Sequence, residues 1–573
     1  EITSGAILAA GAGAHSIGGI SGITTGGSGT NPYYVYVTNP AGALTLSSPL
    51  TSATQLVKSG AGSLILNSAG NLFTDLYFNQ GVVQADAQNK LGTGALNFFG
   101  GSLNFTAAFD ASVQADLSTA KIITLGTGGG TFDTGSFAIS LANSIGNSGA
   151  GGLTKIGTGS LTLLASAAYS GATAVQDGTV ILGSGGDNRL PTNTALSLGM
   201  GATSGVVQLG NGSGASNQTV GELSNVGSGG GSNAVVGGDS AISVLTINQA
   251  TQTDFSGSIG GVGTNQNNIG ITKSGVGSLT LSGATLSFVG PLSVTAGDLN
   301  ITGSTGALLA PSALTVNAGA TLNLLNGVGQ IINLGSGAIN LGTGTGPAIL
   351  GLELGSTSAY DRVVTTGMAT TTGSVLINLT NLSGFGAGNY DLLKADTGGL
   401  SGATYTLGAA ALGGVSLNLS TTDTLVQLQV NAIVGDLYWK GAVGAGWTAF
   451  NGANSNFTTD LAGTINALGI PGTNNGVIFS ANSQTNTALN TTLNTNFFIR
   501  DLTFNNNLGS GPLDTISIAE GSGGSLTITP TVSTAGINMQ AGSVASVTIS
   551  APVVLGVSQT WTVADAGSVL TIS

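Results

Sequence analysis

Lys155-Ile156-Gly157-Thr158-Gly159-Ser160-Leu161-Thr162-Leu163 is the stretch from which the rest of the chain is read. It recurs as Lys58-Ser59-Gly60-Ala61-Gly62-Ser63-Leu64-Ile65-Leu66 and as Lys273-Ser274-Gly275-Val276-Gly277-Ser278-Leu279-Thr280-Leu281. The shared pattern is K-x-G-x-G-S-L-x-L. Its last part alternates apolar and polar residues, the mark of a short strand with one buried face. The paired glycines before it punctuate a turn. Leu64, Leu66, Leu161, Leu163, Leu279 and Leu281 are therefore expected in a core.

Two further markers follow in fixed order. Gly-led strands begin at Gly81, Gly178 and Gly297, at 23, 23 and 24 residues after the respective Lys. They place Val180 and Leu299 among the expected core residues. Strands opening at Ala95, Ala195 and Ala313 come next, at 37, 40 and 40 residues. Similar alternation appears at Leu44-Thr45-Leu46 and Leu322-Asn323-Leu324. Helical periodicity is almost missing.

A unit of roughly 20 residues with two or three short strands cannot bury its apolar face alone. Stacked coil on coil, each strand pairs with copies above and below, about 4.8 Å apart. The expected fold is all-β: a parallel β-helix, or β-solenoid, of repeated coils. Roughly 25–30 coils are expected, a rod on the order of 120–140 Å long. Residues 1–430 read as one solenoid, with a looser strand module at residues 348–430 that lacks the Lys-Gly marker. Residues 431–573 read as a second cassette, opening with Tyr438-Trp439.

Composition agrees. Gly accounts for 98 of 573 residues, and charged residues for 6% against about a quarter in an average domain. Apolar residues make up 41%, too many for a disordered chain. The glycines follow no G-X-Y period, which excludes collagen. Net charge is −13, from 23 acids and 10 bases scattered along the chain. With no basic patch, nucleic acid and anionic membrane surfaces are not expected partners. There is no Cys, so disulfides and thiolate metal sites are excluded. No apolar run is long enough to span a membrane as a helix.

The motifs resemble the autotransporter-associated, or passenger-associated, β-strand repeat family of Gram-negative surface proteins. The family's phrase is a "LTK-G-G-TLTLSG…YSGGTTV…GTL" run, and residues 153–182 fit it nearly throughout. The match runs through Leu153-Thr154-Lys155, Gly157, Gly159, Tyr169-Ser170-Gly171 and Gly178-Thr179-Val180. At residues 56–83 and 271–299 the Tyr-Ser-Gly segment is replaced by Phe73-Thr74-Asp75 and Phe288-Val289-Gly290. Tyr438-Trp439, Trp447, Leu502-Thr503-Phe504 and Gln559-Thr560-Trp561 look like the giant multi-cassette surface proteins of planctomycete and verrucomicrobial type. The resemblance implies a right-handed β-helix passenger, export and display at the cell surface. It implies no chemistry, because repeats supply a stalk.

Candidate sites are few. His15, the lone histidine, reads as a turn or surface residue. Asp110, Asp133, Asp177, Asp187, Glu222, Asp254 and Glu353 are scattered, whereas a glycosidase needs paired carboxylates. Asp361-Arg362 reads as a solvated pair. Gly126-Thr127-Gly128-Gly129-Gly130 and Gly229-Gly230-Gly231 lack the helix and Lys-Ser/Thr of a phosphate loop. Gly185-Gly186-Asp187-Asn188 offers too few oxygens for calcium. No cofactor, metal or catalytic residue is expected. Tyr33, Tyr34, Tyr36, Trp439 and Trp447 are the candidate ligand-contact aromatics.

The expected function is non-catalytic: a structural component of an extracellular fibre, sheath or stalk. An adhesin passenger binding a surface or glycan is the alternative, and a β-helix carbohydrate-active enzyme a remote one. Glu1-Ile2-Thr3 and Ser568-Val569-Leu570-Thr571-Ile572-Ser573 show no capping pattern. Self-association head to tail, or continuation within a longer chain, is the expected partnership.

Overall fold

A computed structural model describes residues 2–3, 5–19, 21–24, 31–51, 55–107, 121–183, 185–229, 232–283, 285–303, 310–408, 414–449, 454–479, 488–505, 515–531 and 535–573. The expectations at Glu1, Asp110, Gly230 and Gly231 lie outside the described residues. The fold is an all-β solenoid of parallel strands. Helix is confined, among the described residues, to the single turns Gln88–Leu91 and Leu400–Gly402.

The alternation in the motif becomes alternation of burial. Strand Ser160–Leu163 buries Leu161 and Leu163 and turns Ser160 and Thr162 outward. It pairs in parallel with Ala138–Leu141 on one side and with Gly178–Leu182 on the other. Leu161 therefore sits between Ile139 and Val180 in a column of apolar side chains. Leu64, Leu66, Leu163, Leu279, Leu281 and Leu299 occupy equivalent inward positions and are buried. Aromatic residues stack the same way inside: Phe78 on Phe98 at 4.1 Å and 5°, and Phe98 on Phe132 at 5.0 Å.

The chain divides into two compact units. The first comprises residues 1–326 and 333–340, the second residues 327–332 and 341–573. Within the first, a ten-stranded parallel sheet runs from Ala14–Ile17 to Glu222–Asn225. A seven-stranded sheet runs from Ala6–Ala9 to Ile145–Asn147, and another from Ala138–Leu141 to Leu286–Ser287.

The solenoid has about 19 turns, fewer than the 25–30 expected. The reason is variable turn length. Leu161 pairs with Val180 after a short turn, whereas Thr253 pairs with Leu279, and Val180 with Val207, across longer ones. Loops that leave the coil lengthen it without adding a rung.

The second unit begins with eight-residue parallel strands Pro347–Leu354 and Ser374–Asn381. It then departs from parallel order. Leu425–Ala432 pairs antiparallel with both Gly388–Ala395 and Val415–Thr421. The link from Thr421 to Leu425 is three residues, closed by the Thr422 N–H donating to the Leu425 carbonyl at 2.8 Å. So short a link permits a hairpin and no parallel crossover. Parallel coils resume with three strands per turn. One such turn holds Phe497–Ile499, Asp501–Phe504 and Thr515–Ala519. Their core holds Trp439, Trp447, Phe457, Phe479 and Phe504 in one cluster.

Candidate functional site

The motif lysines point inward. Lys58, Lys155 and Lys273 are fully buried, each at the same place in its repeat. Lys155 Nζ donates to the carbonyls of Ile156 (3.1 Å), Gly157 (2.7 Å) and Asp177 (3.0 Å). Lys58 Nζ reaches Ser59 (3.0 Å), Gly60 (2.6 Å) and Gln80 (3.0 Å). Lys273 Nζ reaches Ser274 (2.9 Å), Gly275 (2.9 Å) and Ala296 (3.1 Å). Two carbonyls come from the lysine's own corner and the third from the next coil. Three acceptors match the three N–H bonds of an ammonium. Burial pushes each lysine down to about 8, and carbonyl acceptors work in the opposite direction by favouring the charged form.

The glycine spacing follows from this cradle. Gly157, at φ 81°, turns the chain so that its carbonyl faces the ammonium. Gly178 follows the Asp177 carbonyl and closes the cradle from the next coil. A Cβ there would stand 2.4 Å from the carbonyl oxygens of Gly157 and Gly159. The Lys and Gly markers, 23 or 24 residues apart, are thus two halves of one cradle on consecutive coils.

Lys121 forms a fourth buried site that the motif did not reveal. Its Nζ donates to the Gly92 carbonyl at 2.7 Å, with those of Leu91 at 3.4 Å and Gly94 at 3.5 Å. Burial pushes it down to about 8, opposed by Asp75. No K-x-G-x-G pattern surrounds it, so no local signal marks it.

The acids are occupied by hydrogen bonds within the solenoid wall. Asp133 accepts from Asn104 Nδ2 (2.7 Å) and the Gly135 N–H (2.9 Å). Asp177 accepts from the Gly178 N–H (2.9 Å). Asp187 accepts from the Asn217 backbone and side chain at 2.9 and 3.2 Å. Glu222 accepts from Thr251 Oγ1 (2.7 Å) and Asp254 from Ser282 Oγ. Apart from the local bonds of Gly135 and Gly178, these are caps between neighbouring rungs. His15 lies exposed on strand Ala14–Ile17 rather than in a turn. In the run Gly126–Gly130, a Cβ on Gly128 would meet the Phe99 carbonyl oxygen at 2.2 Å, so backbone packing requires glycine there.

Asp361 is fully buried, not a solvated corner as its sequence context suggested. It accepts 2.7 Å hydrogen bonds from the N–H groups of Gln330 and Glu353. Its neighbour Arg362 turns away, over the Tyr360 ring at 5.3 Å. Burial, with a contribution from nearby Glu353, raises Asp361 from its ordinary value near 3.8 up to about 7, against the pull of the two N–H donors. The sign is fixed by the direction of the shift. Between about pH 4 and 7 the folded state keeps a proton that the unfolded chain has lost, so stability falls as pH rises through that window. Asp361→Asn is expected to abolish this slope, read as the pH dependence of the urea midpoint for the second unit. An unchanged slope would refute the assignment.

The five candidate aromatics separate by strand alternation. Tyr33, Trp439 and Trp447 are buried, with no ring face open to a ligand. The Tyr33 hydroxyl donates to the Ile23 carbonyl. Trp447 Nε1 donates to Thr491 Oγ1 at 3.1 Å. Tyr34 and Tyr36 point outward from the same strand and are about 40% exposed, at 40% and 42%. Two exposed or partly exposed rings on that sheet, Tyr77 and Phe99, escaped the sequence reading.

No helix among the described residues is long and apolar enough to cross a membrane. A search of curated proteins finds no sequence matching the chain. The model of the passenger-associated transport repeat matches residues 56–85, 153–182 and 271–301. Each matched segment begins within three residues of a buried cradle lysine and ends in the strand that closes its cradle. Three such repeats set in a β-solenoid indicate an autotransporter passenger domain.

Proposed function

We propose that the chain is a non-catalytic structural component of an extracellular fibre, sheath or cell-surface stalk, built by stacking β-solenoid turns. The carrying observation is the cradle. The one basic residue in each matched repeat is spent on joining consecutive coils, not on a substrate. The caps formed by the acids point the same way. Residues 431–573 are proposed to be a second cassette of the planctomycete and verrucomicrobial type. Their apolar cluster, from Ile433 to Ala551, supports this.

Self-association by stacking of parallel coils is further proposed. Low charge leaves little repulsion against such stacking. The test is electron microscopy and mass measurement of native material. Continuous fibres, or particles heavier than one chain, are expected. A monodisperse soluble monomer of 55.4 kDa would overturn the reading. An adhesive role is the second reading, favoured by the exposed rings around Tyr34.

A further inference from the structure

We propose that one outer face of the first unit binds an uncharged polysaccharide chain by stacking sugar rings on Tyr34, Tyr36, Tyr77 and Phe99. The face belongs to the sheet containing strands Ala6–Ala9, Tyr33–Val37, Gln55–Ser59 and Asp75–Phe78. Tyr34 is in register with Val57, and Val57 with Tyr77. Tyr34 and Tyr77 are thus two rungs apart on one column, about 9.6 Å. Tyr36 lies one column over, beside the 69% exposed Leu8. Tyr77 and Phe99 lie with ring centroids 6.2 Å apart and 14° between their planes, so neighbouring rungs carry aligned aromatic rings.

On the motif strands the outward positions are filled by small polar residues, as in Ser160 and Thr162 or Ser278 and Thr280. Aromatic rings with both a flat face and a polar tip are costly to leave in water and suit an amphipathic partner. A pyranose ring is such a partner: its axial C–H face is apolar and its rim carries hydroxyls. Gln55, Ser59, Asn79, Asn97 and Thr124 flank the rings and offer amide and hydroxyl groups to that rim. The spacing of two rungs lets alternate sugars of an extended chain present the same face to Tyr34 and Tyr77.

Charge selects the class of ligand. Lys58, on the neighbouring strand position, is turned inward and spent on its cradle. Asp75 is the acid at the edge of the face, and it accepts the Ala95 N–H at 2.9 Å. A face without an outward cation among the described residues matches a neutral glycan, not an acidic one or a phosphate.

The test is affinity electrophoresis of the full chain through gels containing hydroxyethylcellulose, xyloglucan, laminarin or alginate. Retardation is expected in at least one neutral gel and not in alginate. Tyr34→Ala/Tyr77→Ala is expected to weaken it about tenfold or more, while Tyr34→Phe/Tyr77→Phe retains it. Both double variants are expected to keep the wild-type melting temperature, because the rings lie outside the core. No retardation in any neutral gel, retardation by alginate alone, or unchanged binding by the Ala variant would overturn the proposal. So would a lowered melting temperature in the Ala variant, or wild-type self-association lost in that variant, which would make the face a contact between copies.

Discussion

Lys155→Met is expected to lower the local stability of its coil pair by about 3–5 kcal/mol. The aliphatic stem is replaced almost in volume, so little packing is lost. What is lost is the donor. The carbonyls of Ile156, Gly157 and Asp177 are left without the ammonium that joins them. The Ile156 carbonyl keeps the Thr134 N–H at 3.1 Å. Leaving a buried acceptor such as the Gly157 or Asp177 carbonyl unpaired costs its desolvation, about 1–3 kcal/mol each. Lys155→Arg is not expected to rescue, since a planar fork of five donors does not fit three converging carbonyls. The damage stays local because a coil touches only its neighbours. Hydrogen exchange read peptide by peptide checks this. Protection is expected to fall across residues 153–182 and to remain at wild-type level across residues 488–573. Unchanged protection at residues 153–182 would show that the cradle does not hold the coils.

Trp447→Ala is expected to destabilise the core of the second unit by about 3–5 kcal/mol. The ring touches Trp439 at 6.2 Å, Phe457 at 5.7 Å, Phe479 at 6.0 Å and Phe497 at 5.2 Å. These partners sit on different segments, so truncation opens a cavity that no single side chain can fill. It also removes the donor to Thr491 Oγ1, although that hydroxyl keeps its own bond to the Ser517 carbonyl at 3.0 Å. Trp439 Nε1, by contrast, has no acceptor among the described residues, and packing carries its contribution. Denaturant unfolding followed by tryptophan fluorescence reads the effect. Trp561 is 38% exposed, so the blue-shifted emission comes from Trp439 and Trp447. A midpoint unchanged from wild type would mean that the cluster does not organise this core.

The face assignments were legible because they are local. Alternation of period two puts Leu161 and Leu163 on one side of a strand and Thr162 on the other, whatever the strand packs against. The same rule separates Tyr33 from Tyr34 and Tyr36, once the strand is known to begin there. Recurrence of Gly at 23 or 24 residues after Lys marked the order of the strands, while the coil itself is shorter, with Lys155 beside Val175 and Leu161 beside Val180.

Partners contributed by another coil decided the rest. The third carbonyl around Lys155 comes from Asp177, a full turn away, so its sequence neighbourhood alone could not show the lysine to be buried. Lys121 lacks even the motif, and its burial depends on where Leu91, Gly92 and Gly94 arrive. Asp361 and Arg362 look like a solvated pair when read side by side. The N–H groups of Gln330 and Glu353 converge on the carboxylate only after folding, and burial then raises its proton affinity. The stacking of Tyr77 on Phe99 likewise joins residues of successive coils. Alternation along one strand is dictated by covalent geometry and survives in the sequence. Which rung meets which depends on the lengths of the loops between them, and here those lengths vary from turn to turn.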